Sequence, residues 1–171
     1  MRPSSRPLCF LGLLVGFAVN AAEPDFDALL RAAEAGKPWQ VEAVDHPLVA
    51  YLEHAELDRD LGKAPIAAVQ AFVDRHPEAR MERSLRQRAI EHYSKAGAHA
   101  KVVQLAAESG DLATDCWILA SRLALNQTPA VDEAIALYRR ADQLTPACKA
   151  AFDWLEDKWG ITDAMRLLRF Q

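Results

Sequence analysis

The sequence contains no Asn-Gly or Asp-Gly pair and no stretch in which apolar and polar residues alternate. These are the usual marks of β-hairpins, so their absence argues against a sheet as the main scaffold. There is no Gly-rich phosphate loop, no Gly-x-Ser-x-Gly elbow and no His-Glu-x-x-His pair. That removes the commonest sequence routes to nucleotide binding, serine hydrolysis and zinc proteolysis. Basic residues nowhere gather on one helix face with interleaved aromatics, so nucleic acid is not an expected partner. Cysteines number only three, too few for a disulfide-dense miniature scaffold.

What is present begins with a leader. Arg2 and Arg6 make a basic start with no acidic residue, Leu8 to Val19 is apolar, and Val19-Asn20-Ala21 offers small residues for cleavage after Ala21. This is the order of parts in a secretory signal peptide, assigned here to residues 1–21. The apolar run is shorter than the roughly 20 residues that span a membrane, although an uncleaved anchor is the competing reading. Cys9 lies in this run without a lipobox before it, so it is expected to leave with the leader. Residues 22–171 are expected to form one domain in an oxidising compartment. Removing Arg2 and Arg6 leaves 18 basic against 24 acidic residues, a net of −6. Anionic lipid would repel such a domain, so no membrane partner is expected after cleavage. At 51% hydrophobic residues the chain is too apolar to be disordered.

Apolar residues recur at helical spacing throughout. Phe26, Leu29, Leu30 and Ala33 form a first stripe, closed by Gly36 and Pro38. Trp39 to Asp45 reads as a further turn or two. From Pro47, Leu48, Tyr51, Leu52 and Ala55 make one stripe, while Ala50, Leu57 and Leu61 lie on the opposite side. A helix apolar on two sides must be covered on two sides, as in stacked layers. Ile66, Val69, Phe72 and Val73 follow; then Met81, Leu85, Ala89 and Tyr93 up to Gly97; then a short helix from Val102 ending at Gly110. Cys116, Leu119, Ala120 and Leu123 make the next stripe, Val131, Ala134, Ile135 and Tyr138 another, and Cys148, Ala151, Phe152 and Leu155 a third. Thr114 is the expected cap of the first of these three helices, with Thr128 before Pro129 and Thr145 before Pro146 capping the others. A last helix runs from Thr162 through Met165 and Leu168. The tally is nine or ten short helices joined by short connections. The fold class expected is all-α, a right-handed α-α superhelix or solenoid of antiparallel helical hairpins.

Cys116 and Cys148 each sit near the start of a helix. If three helices run up, down and up, the first and third start at the same end, which would bring the two cysteines within disulfide range. Two buried free thiols are the alternative.

At this point the chain resembles a known family. The stretches HPLVAYLEHAELDRDLGKAPIAAVQAFVDRHP from His46, SLRQRAIEHYSKAG from Ser84 and LTPACKAAFDWL from Leu144 are similar to the N-terminal U-shaped superhelical domain of the soluble lytic murein transglycosylases of Gram-negative bacteria. The resemblance implies a periplasmic all-α superhelix with one disulfide, associated with peptidoglycan turnover. In those enzymes the chemistry resides in a separate C-terminal lysozyme-like domain, where a glutamate followed by serine protonates the glycosidic oxygen. That domain has no counterpart in residues 22–171, so the resemblance assigns no catalytic residue here. The chain is expected to be a non-catalytic scaffold or a wall that guides glycan strands, or the N-terminal part of a full transglycosylase. A tetratricopeptide-like (TPR-like) scaffold that binds other proteins is the alternative. The expected partners are peptidoglycan or a protein that processes it, and an apolar end near Met165 to Phe170 leaves room for a homodimer.

Individual residues invite sharper readings. Glu108-Ser109-Gly110 imitates the catalytic Glu-Ser pair, but no Gly-Leu-Met-Gln segment follows and the glycine marks a helix end. His46, His54, His76, His92 and His99 show no i, i+4 pair, so neither a metal nor any other cofactor is expected. Trp39, Trp117, Trp154 and Trp159 are candidate sugar-stacking platforms, or else gap fillers between helices.

Overall fold

A computed structural model describes residues 25–39, 48–77, 80–127, 131–141 and 145–160. Every regular element among them is helical. The α-helices are α1 (Phe26–Glu34), α2 (Val49–Arg59), α3 (Ile66–Arg75), α4 (Arg80–Lys95), α5 (His99–Gln104), α6 (Leu112–Ala124), α7 (Val131–Arg140) and α8 (Lys149–Trp159), with a 3-10 turn (Pro146–Cys148) leading into the last. The leader with its cleavage point at Ala21, most of the Trp39–Asp45 segment, His46, the Thr128-Pro129 cap and the helix through Met165 lie outside the described residues.

Several helices stop through the same device. After α1 the N–H of Gly36 bonds the carbonyl of Ala33 and that of Lys37 bonds Ala32; after α4, Gly97 bonds Ser94 and Ala98 bonds Tyr93; after α6, Asn126 bonds Leu123 and Gln127 bonds Arg122. This paired pattern needs a left-handed residue at its turning point. Gly36, Gly97 and Asn126 supply it, at φ 71°, 70° and 56°. The glycines are legible from the sequence. Asn126, the next-best residue for that conformation, is not marked by any expected helix end.

The start of α6 differs from the expectation that Thr114 caps it. Asp111 is the cap: one carboxylate oxygen accepts from the Thr114 N–H at 2.8 Å and from the Thr114 hydroxyl at 2.7 Å. Aspartate wins because its oxygen reaches the third N–H of the helix, and Thr114 is left inside the first turn, buried. Asp111→Ala should cost about 1–2 kcal/mol of stability, read as a lower urea midpoint with an unchanged slope. Thr114→Val, which keeps the cap, should cost less.

The helices pack in a regular order. Each touches the next along the chain, and α2, α4, α6 and α8 also touch one another in succession. The even-numbered helices therefore form a continuous row, and the odd-numbered ones fill the spaces beside it. Arg59 ties α1 to the end of α2 by donating to the carbonyl of Ala33 while pairing with Asp60.

Two hydrophobic clusters lie along this row. The first joins α3, α4, α5 and one face of α6 through Val69, Phe72, Leu85, Ile90, Val102 and Ile118. The second joins the other face of α6 to α7 and α8 through Cys116, Leu119, Tyr138, Cys148, Phe152 and Leu155. Trp117 packs against both. The α6 stripe expected on one side is thus only half of its buried surface: Ile118 and Ser121 are buried on the other. The α8 stripe is as expected, with Cys148, Ala151, Phe152 and Leu155 all buried. On α2, Leu52 is buried but Leu48 and Tyr51 are 40% and 51% exposed. The α2 helix is covered by α1 on one side and by α3 and α4 on the other, and this leaves its Tyr51 edge open.

Cys116 and Cys148 are joined, sulfur to sulfur at 2.04 Å and Cα to Cα at 4.8 Å. Because α6 starts at Leu112, Cys116 sits one turn into its helix, level with the 3-10 turn that Cys148 ends. Thr145 stands where a cap is expected, ahead of Pro146, but its hydroxyl donates to the Cys148 sulfur at 3.3 Å and bonds no main-chain N–H.

Candidate functional site

The segment between α5 and α6 leaves the helical path. The sequence reads it as helix up to Gly110, yet α5 ends at Gln104 and residues 106–109 run without regular structure. Side-chain hydrogen bonds compete with the helix here. The Ser109 hydroxyl donates to Asp115 at 2.7 Å and also contacts the backbone of Asp111, which itself caps α6.

This segment forms one wall of a groove of about 490 Å³ against α6 and α7. The groove floor is apolar, from Ala106, Ile118, Ala136 and Leu137. Its charged rim is mostly paired. Arg140 bonds Asp115 at 3.0 Å and the Gly110 carbonyl at 3.1 Å, and Arg122 holds Glu133 with contacts at 2.8 and 3.1 Å. Glu108 is exposed and makes no hydrogen bond or ion pair among the described residues. Ser109 is committed to Asp115 and Glu108 stands exposed, so the Glu108-Ser109 neighbours do not act on each other among the described residues.

The four described histidines are scattered. His54 and His76 flank Phe72 at ring separations of 6.0 and 4.7 Å, His92 lies edge-on to Tyr93, and His99 bonds the fully buried Ser121 at 3.1 Å. No group of three His, Cys, Asp or Glu side chains among the described residues is placed to hold a metal. A second groove, about 420 Å³, has Trp117 in its lining between α4 and the 3-10 turn. Trp154 packs into the second cluster, and Trp39 donates to Glu56 at 3.3 Å. Trp159 belongs to α8, and its side chain is outside the described set. None of the described helices is long and apolar enough to cross a membrane.

The sequence does not reveal which polar atoms of α2 and α4 are buried. His54 Nε2, Asp58 Oδ1 and the Tyr93 hydroxyl are buried without hydrogen-bond partners among the described residues. Burial lowers the His54 pKa from its ordinary 6.5, with Arg88 adding to the shift and Asp58 opposing it. Burial likewise raises that of Tyr93. A histidine whose folded pKa is depressed binds protons more readily when unfolded. Its contribution to stability is therefore full above pH 6.5 and is lost as pH falls through the lower folded value. His54→Gln should flatten the decline in urea midpoint between about pH 7.5 and pH 5.5 relative to the unaltered protein. An unchanged decline would assign the pH dependence to other groups.

Comparison of this chain with protein-family models, with curated proteins and with solved structures finds no match.

Proposed function

We propose that the helices form part of a right-handed α-α superhelix that acts in the periplasm as a non-catalytic wall in peptidoglycan turnover. The observation that carries the architecture is the row of even-numbered helices, each packed on the one before and the one after. A hairpin stack of this kind buries a continuous core while presenting a long surface to a partner. The disulfide is consistent with an oxidising compartment. The link to murein rests on the resemblance of the His46, Ser84 and Leu144 stretches to the superhelical domain of the lytic transglycosylases.

In this reading the chain positions glycan strands or a catalytic partner and cleaves nothing itself. Purified residues 22–171, in oxidised form, should co-sediment with isolated murein sacculi and release no soluble muropeptides. Release of anhydro-muropeptides would make the chain an enzyme. A second reading is favoured by the apolar-floored groove beside Glu108, which suits a polypeptide better than a sugar. No retention on sacculi, together with binding to a defined peptidoglycan-processing protein, would support that TPR-like scaffold instead.

A further inference from the structure

The groove between residues 106–109 and helices α6 and α7 has a distinctive balance of groups. Its floor is apolar, through Ile118, Ala136 and Leu137. Its wall is a non-helical stretch of main chain. The N–H and C=O groups of Ala107, Glu108 and Ser109 make no hydrogen bond among the described residues. Such a wall can pair with a second main chain laid beside it, as a sheet edge does. The rim holds two arginines and three carboxylates. Arg140 is held by Asp115 and Arg122 by Glu133, so Glu108 is left without an ion-pair partner among the described residues.

From these three features we infer that the groove is a binding site for a short extended peptide segment carrying one cationic side chain. The ligand backbone pairs with Ala107–Ser109, small or apolar side chains rest on Ala136 and Leu137, and a lysine or arginine meets Glu108. Charge complementarity sets this choice. An anionic ligand would face the unpaired carboxylate, and a neutral one would leave its charge uncompensated. The inference does not depend on any role in murein turnover.

The test uses the oxidised mature chain and a defined library of N-acetylated, C-amidated pentapeptides. Retained peptides should be enriched in Lys or Arg at one position. For the tightest of them, replacing that residue by norleucine should weaken binding about 2- to 5-fold, the scale of one exposed ion pair. Glu108→Gln, on the exposed segment where it disturbs no packing, should weaken the lysine peptide by the same factor and leave the norleucine peptide unaffected. Ala136→Trp, which fills the groove from an exposed position on α7, should abolish binding of both, with folding checked by circular dichroism. The inference is overturned if no peptide is retained, if retained peptides show no cationic preference, or if either variant binds as the unaltered protein does. Sacculus co-sedimentation of Glu108→Gln serves as the separating measurement, because retention there should not change.

Discussion

Reducing the Cys116–Cys148 bond, or replacing both cysteines by alanine, should cost roughly 3–4 kcal/mol on chain-entropy grounds alone. The bond joins positions 32 residues apart and closes α6, α7 and the 3-10 turn into one loop. Without it the unfolded chain regains the freedom of that loop, and the native state gains nothing in exchange. Both sulfurs are fully buried in the second cluster, so the alanine pair also leaves a small void, which adds to the loss. For a domain of this size the melting temperature should fall by about 10 °C. Urea unfolding of the oxidised and reduced protein measures the difference directly. Coincident curves would mean that the loop is already ordered in the unfolded ensemble, and that the bond contributes nothing to stability.

Phe72→Ala should have an effect of similar size in the other half of the molecule, about 3–5 kcal/mol. Phe72 is the largest fully buried side chain among the described residues and lies in the first cluster with Val69, Leu85 and Ile90. His54 and His76 pack against its ring. Loss of the ring removes apolar burial and opens a cavity against imidazoles whose Nε2 atoms are already without hydrogen bonds among the described residues. Water drawn into that space would partly satisfy them, so the loss should lie toward the lower end of the range. Tyr51→Ala, at a position half exposed on α2, should cost far less. The contrast between the two separates burial from simple aromatic content. Similar losses for both would contradict the packing described for α2 and α3.

The helical class was legible because glycine and proline punctuate the chain and the stripes between them follow a single period. The α8 stripe from Cys148 to Leu155 could be read position by position, since that helix buries one face. The α6 helix could be read only in half. It lies between two clusters, and a single-stripe pattern recovers Cys116 and Leu119 but not Ile118 and Ser121. On α2 the same pattern overreached, because Tyr51 and Leu52 point about 100° apart around the helix and only Leu52 is covered. Caps depend on which oxygen reaches which N–H. Asp111 and Thr114 are three residues apart and both are capping types, so the choice between them is geometric. The groove beside Glu108 was not legible. It depends on a segment that abandons helical pairing and on ion pairs between residues 25 and 11 positions apart, Arg140 with Asp115 and Arg122 with Glu133. A local sequence pattern does not encode contacts of that range.

A role in peptidoglycan turnover requires that the chain be exported and that its helices be tied by the Cys116–Cys148 bond. The intact mass of the protein, expressed with its own leader and recovered from the periplasm without reductant, tests this most directly. The account predicts a chain beginning at Ala22, lighter by two hydrogens than its reduced form, with Cys116 and Cys148 inert to thiol reagents. A chain still beginning at Met1, or one whose two remaining cysteines both label in the native state, would contradict it.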